Sequence, residues 1–165
     1  MIYKASSDTM VKTITIGCFI LFAAIGGPIL YKAIANASSF KAILPALGTS
    51  LLMFAILFIC WLYAPYCYEI TSTDFIIRRR IGAIKIKKDA IQSVQMLTKN
   101  EISGSIRTFG VGGLFGYYGI FEVSKIGKTT FYITQCKNLI LLVTNTNKKM
   151  LISPNDVNLI NQFTL

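Results

Sequence analysis

The sequence predicts an α+β membrane protein: two transmembrane helices followed by an all-β small barrel or sandwich closed by a short C-terminal helix. Three observations carry this expectation. Long charge-free stretches fill the first 68 residues, the hydrophobic period shortens to two after Pro65, and a helix-opening motif returns at Ser153. Composition agrees. Of 165 residues, 53% are hydrophobic and only 15% charged, against about 25% charged in ordinary soluble domains, and mean hydropathy is +0.57. Yet 17 Lys and Arg stand against 7 Asp and Glu, a net charge of +10. This combination excludes intrinsic disorder, which needs low hydrophobicity and high charge. It also argues against a nucleic-acid partner, because basic domains of that kind are rarely so apolar. The partner it points to is a lipid bilayer with an anionic surface.

Thr13–Tyr31 is a run of 19 residues without charge between Lys12 and Lys32, and Ala42–Tyr68 is a run of 27 between Lys41 and Glu69. A helix crosses the hydrocarbon core with about 20 apolar residues, so spans are expected near 13–34 and 42–64. Gly26, Gly27, Pro28, Pro45 and Gly48 would weaken soluble helices but are common in membrane helices, where neighbouring groups satisfy the freed backbone. Gly26-Gly27 marks either close approach of the second helix or a kink. Trp61, Tyr63, Tyr66 and Tyr68 gather at the end of the second span, as interfacial aromatics do. The short connector makes the spans an antiparallel hairpin, and residues 1–65 are read as the anchor. Only Lys32 and Lys41 lie in the connector, whereas Arg78, Arg79, Arg80, Lys85, Lys87 and Lys88 follow the second span closely. Basic residues so placed stay inside, which predicts a multi-pass cell-membrane protein with both termini cytoplasmic. Ala35-Asn36-Ala37 has the form of a signal-peptide cleavage site and Asn36-Ala37-Ser38 that of a glycosylation site. The apolar stretch is longer than a signal peptide's, so an uncleaved anchor is expected.

Residues 66–165 are read as one β domain. Tyr66–Thr71, Phe75–Ile81 and Ile84–Lys88 alternate with period two, and Ser72-Thr73-Asp74 and Gly82-Ala83 supply turns. Further strands are expected at 91–97, 119–126, 129–135, 139–144 and 149–153. Ser153-Pro154-Asn155-Asp156 then offers an N-cap, a proline at the first helical position and an acid in the first turn. Val157, Ile160 and Phe163 follow on one face of the expected helix.

Several of these segments resemble the bacterial pleckstrin-homology-like (PH-like) domain family. They are Tyr68-Glu69-Ile70-Thr71 with Phe75-Ile76-Ile77 and Gly82, the D-x-I-x-x-V element Asp89–Val94, Ser105–Gly110, and Leu151-Ile152-Ser153-Pro154 with Asp156. The resemblance covers residues 66–163. It implies a PH-like fold and a non-enzymatic binding or scaffolding module, commonly tethered by paired membrane helices. No ligand motif matches closely enough to carry binding residues over.

The residues themselves also speak against catalysis. Histidine is absent, so Ser-His-Asp, Cys-His and HExxH arrangements are impossible. The carboxylates do not pair, and Cys18, Cys60, Cys67 and Cys136 lack metal-binding spacing. No catalytic residue, metal or cofactor is expected. Two features are candidates for binding. If Gly82 and Ala83 are the central turn residues, Arg80 faces Lys85 and Arg78 faces Lys87, and all four project from one sheet face. Such a ladder repels itself, and anionic phospholipid head groups would relieve it by about 1 kcal/mol per basic residue. The second feature is Thr108–Phe121, fourteen uncharged residues with five glycines, too short to span and without a phosphate-loop pattern. It reads as a flexible loop whose Phe109, Leu114, Phe115, Tyr117 and Tyr118 touch the membrane or a partner. Arg107 at its lip is a candidate for holding a phosphate or a carbonyl. The expected function is a membrane-anchored PH-like module engaging anionic head groups or a protein partner at the cytoplasmic face. The alternative is a structural subunit that forms a homo-oligomer or joins a larger membrane complex.

Overall fold

The computed structural model describes residues 1–36 and 39–163. A short strand, β1 (Ile2–Lys4), precedes two long helices, α1 (Thr9–Ala35) and α2 (Phe40–Tyr63). Nine strands follow: β2 (Pro65–Ile70), β3 (Asp74–Arg79), β4 (Ala83–Lys87), β5 (Ile91–Leu97), β6 (Ile106–Gly112), β7 (Tyr117–Val123), β8 (Gly127–Ile133), β9 (Leu139–Thr144) and β10 (Lys149–Ile152).

Both helices are long and apolar enough to cross a membrane. Ile16, Ile20, Leu51, Leu52, Phe54 and Phe58 point outward and are exposed, an apolar girdle larger than a soluble monomer sustains. The pair therefore fits a membrane anchor. Pro28 and Pro45 lie inside the helices. A Cβ on Gly26 would meet Met53 Sδ of α2 at 3.7 Å, an ordinary contact, while Gly27 faces nothing within 4 Å. Only the first glycine of the pair marks the helix–helix face. Ala37 and Ser38, on which the cleavage and glycosylation patterns depend, lie outside the described residues.

The β domain is two sheets, ordered β1-β2-β3-β4 and β5-β9-β10-β8-β7-β6. All neighbours are antiparallel except β8 and β10, which run parallel. Between the sheets, Tyr68, Phe75 and Ile77 meet Ile140, Leu142 and Ile152, with Leu159 packed beside them. The other face of the large sheet buries Phe121, Phe131, Leu141 and Leu151 under Ile102. The sandwich alternative holds, and among the described residues the two sheets do not close into a barrel.

The structure departs from expectation at β1, at β6 and at the closing helix. β1 pairs with β2 through Ile2↔Glu69, Tyr3↔Tyr68 and Lys4↔Cys67, so two adjacent strands of one sheet flank the helical hairpin in sequence. β6 is a strand where a loop was expected. The closing helix is a 3₁₀ segment, Val157–Gln162, whose N-cap is Asp156, accepting the Asn158 N–H at 2.9 Å. Ser153 cannot cap it because Ser153 is fully buried, its Oγ accepting the Thr134 N–H at 3.0 Å.

Candidate functional site: the surface where the domain meets the helices

Only residues 5–8 separate β1 from α1, and only Ala64 separates α2 from β2. The β domain is consequently held close against the helix ends. Asp8 is the hub. Its Oδ1 caps α1 by accepting the Val11 N–H at 2.9 Å, and its Oδ2 accepts the Cys136 N–H at 3.0 Å. Its own N–H donates to the Thr134 carbonyl at 3.1 Å. One carboxylate thus satisfies an orphan helix donor and ties the helix to the β8–β9 connection.

The Thr108–Phe121 segment forms a second attachment. Its glycines form a β-hairpin rather than a flexible loop. Gly110 and Gly119 are opposed in register at φ of 111° and 125°, and a Cβ on either would collide with the carbonyl of Tyr118 or Phe109 across the ladder. Only glycine permits this approach. The hairpin tip rests on α1: a Cβ on Gly113 would lie 2.7 Å from Ile14 Cδ1, and the Phe115 N–H donates to Thr15 Oγ1 at 3.0 Å. The Phe115 ring stands edge-on to Phe19 at 6.2 Å. Phe115 holds a φ of 58°, a left-handed conformation uncommon in side-chain-bearing residues. From Lys12 to Phe19 is about 10 Å along the helix, so the tip reaches past the last charged residue at that end of α1.

The five aromatic and aliphatic candidates therefore separate. Leu114 and Phe115 form the tip, and Tyr117 is half-buried. Tyr118 is buried, and its hydroxyl donates to the Cys60 carbonyl near the end of α2. Burial holds that phenol above its ordinary ionisation range. Phe109 alone points away, 74% exposed on β6 at the edge of the large sheet. Arg107 lies along β6, its Nη1 3.3 Å from where a Cβ on Gly112 would be. Among the described residues its guanidinium has no protein acceptor.

The cationic ladder does not form as expected, because the β3–β4 turn is centred two residues earlier, on Arg80-Ile81, where the Arg79 N–H donates to the Gly82 carbonyl at 3.4 Å. Arg78 faces Ala83, Ile76 faces Lys85 and Asp74 faces Lys87. Arg78 is committed to Glu69, with an Nη2–Oε2 distance of 2.6 Å. That bond and charge raise the guanidinium's already high pKa. Arg80, in the turn, folds back onto α2: its guanidinium lies 4.4 Å over the Trp61 ring and donates to the Trp61 carbonyl at 3.2 Å. Arg79, which the ladder omits, lies 5.3 Å over the Tyr63 ring. Lys85 and Lys87 turn away to line a cleft beside β8 and β10. Among the expected interfacial aromatics, Trp61, Tyr63 and Tyr66 are partly or well exposed while Tyr68 is fully buried in the core. The arginines and the aromatic helix end are both plain in the sequence, but the cation–π stacking that joins Arg79 and Arg80 to Tyr63 and Trp61 was the link passed over.

Residues 66–164 match the family described as Bacterial PH domain. Comparison with curated proteins and with solved structures finds no match. The matched span covers the β domain from β2 through the 3₁₀ segment and more than half of the sequence. Its two-sheet architecture, sealed by the terminal 3₁₀ helix, agrees with the earlier resemblance, and the chain belongs to the bacterial PH domain family.

Proposed function

We propose that this protein is a membrane-anchored binding module, with α1 and α2 crossing the bilayer and both termini cytoplasmic, that engages anionic lipid head groups beside its own anchor. The observation that carries the reading is the stacking of Arg80 on Trp61 and Arg79 on Tyr63 at the end of α2. Aromatic residues at a helix end mark the head-group layer. A guanidinium stacked there keeps most of its five N–H donors for phosphate. Arg107 adds a third cation beside the hairpin. Leu114 and Phe115 enter the outer hydrocarbon alongside α1, fixing the height of the domain. The alternation of basic residues is thus replaced, as the lipid-binding element, by an aromatic–arginine belt.

The test uses the full chain in nanodiscs containing equal neutral and phosphatidylglycerol lipid, with co-purifying lipid quantified after detergent exchange. Phosphatidylglycerol should be enriched over the bulk ratio, and Arg79→Ser with Arg80→Ser should abolish the enrichment. Bulk lipid composition around the unaltered protein, or enrichment unchanged in the variant, would refute the reading.

A second reading, assembly with another copy, is favoured by one feature. Ile106 and Phe109 are 68% and 74% exposed on an unpaired edge strand, a template for strand pairing. Phe115 and Tyr118 instead face the helices. Native mass in mild detergent should therefore drop to a monomer on Phe109→Lys if this reading holds, and a monomeric unaltered protein counts against it.

A further inference from the structure

We propose that the cleft along β4 is a docking groove for an extended, acidic segment of a partner protein. Ile84, Lys85, Ile86 and Lys87 all line this cleft. Successive strand residues point to opposite faces, so a cavity touching four in a row runs along the strand's edge. Among the described residues that edge is unpaired, since β4 ends the small sheet and bonds to β3 alone. Every second residue therefore presents N–H and C=O groups that another strand can take up. The facing wall is Lys128, Thr130 and Tyr132 of β8, and Lys148 and Lys149 close one side. The cleft holds about 850 Å³, a size typical of ligand sites and far more than one phosphate fills.

Its charge selects the occupant. Among the described residues five lysines and no Asp or Glu line the cleft. Lys149 is spent on the Ile126 carbonyl, which accepts from Nζ at 2.7 Å. Among the described residues the one ion pair is Arg78–Glu69, so Lys85, Lys87, Lys128 and Lys148 hold no carboxylate. Strand addition draws affinity from main-chain bonds and specificity from alternate side chains. Acidic residues at every second position of the incoming strand would meet Lys85 and Lys87, which share a face. The protein's own bilayer is a poor source of the anion. The turn before β4 touches α2 through the Ile81 N–H and the Leu62 carbonyl, 3.1 Å, but Lys87 lies about 13 Å farther along the strand.

The groove and the arginine belt are separate sites, so each can fail alone. The experiment places the full chain in neutral-lipid nanodiscs and measures anisotropy of a fluorescein-labelled peptide of four Glu-Val repeats. Four Lys-Val repeats and inositol hexakisphosphate serve as comparisons, and amide hydrogen exchange is followed on β4. The acidic peptide should bind, slow exchange at β4, and lose affinity about tenfold on Lys85→Ser with Lys87→Ser, the worth of two exposed ion pairs. Arg79→Ser with Arg80→Ser should leave that binding unchanged. Binding no tighter than the Lys-Val peptide's would overturn the proposal. So would an unprotected β4, or inositol hexakisphosphate displacing the peptide as the tighter ligand.

Discussion

Tyr68 shows how much one side chain organises here. Its ring is fully buried and stacks with Phe75 at 6.3 Å. Its hydroxyl donates to the Tyr132 carbonyl at 2.6 Å and accepts the Ser153 N–H at 3.1 Å. Tyr68→Phe strands both backbone groups in the core, at a cost of about 1–3 kcal/mol, measurable as a lower midpoint in thermal unfolding. Burial raises the phenol from 10.0 to about 12. A raised folded-state pKa contributes stability that is complete below 10 and lost as pH climbs through 12. The unaltered chain should therefore weaken over that window, and Tyr68→Phe should flatten the decline. The sequence places Tyr68 among the interfacial aromatics because four aromatic residues crowd positions 61–68. Composition does not say that β2 is bulged between Pro65 and Cys67, a break in the period-two alternation that leaves Tyr66 pointing outward and Tyr68 inward. Arg78 is similar. Its charge is plain in the sequence, but its neutralisation by Glu69, nine residues away, depends on the β2–β3 register.

Among the elements, the helices and most strands were legible because each carries its own pattern: long apolar runs for α1 and α2, alternation for β3 and β8, and a short continuous apolar run for β9. The β6–β7 hairpin was legible only from Gly119 onward, in the later part of β7. Glycine lowers strand propensity, and five glycines in fourteen residues read as a loop until a partner strand is present. The Gly110–Gly119 pair shows that those glycines serve close strand approach. Gly119→Ala would push a methyl group into the Phe109 carbonyl, and should destabilise the hairpin by about 1–3 kcal/mol. Near-ultraviolet circular dichroism of the full chain would show early loss of tyrosine signal, from Tyr117 and Tyr118, ahead of global unfolding. The β3–β4 turn failed for a related reason. Gly82-Ala83 satisfies the two-residue rule locally, but a turn centred on Arg80-Ile81 lets Arg80 stack on Trp61 and the Ile81 N–H reach Leu62. A contact with α2 thus settled the register.

On the scale of the molecule, the helical hairpin is a long insertion between β1 and β2, which are neighbours in one sheet. This differs from a domain hung on a linker. Both helix ends enter the β domain directly, Asp8 binds α1 to the β8–β9 connection, and the hairpin tip adds a third attachment on Thr15 and Phe19. Thirteen basic and six acidic residues after position 68 leave +7 of the +10 on the β domain. The structure divides that surplus between arginines beside the helix ends and lysines along the β4 cleft. The central claim is that the domain is clamped to the bilayer, with its hairpin tip below the head groups. The direct test is fluorine magnetic resonance of 4-fluorophenylalanine placed at position 115 of the full chain in nanodiscs, with fluorinated position 109 as comparison. Phe115 should be relaxed by nitroxides on the lipid chains and shielded from an aqueous gadolinium chelate, while Phe109 responds to the chelate. Strong relaxation of position 115 by the aqueous chelate, with none from the lipid nitroxides, would contradict the account.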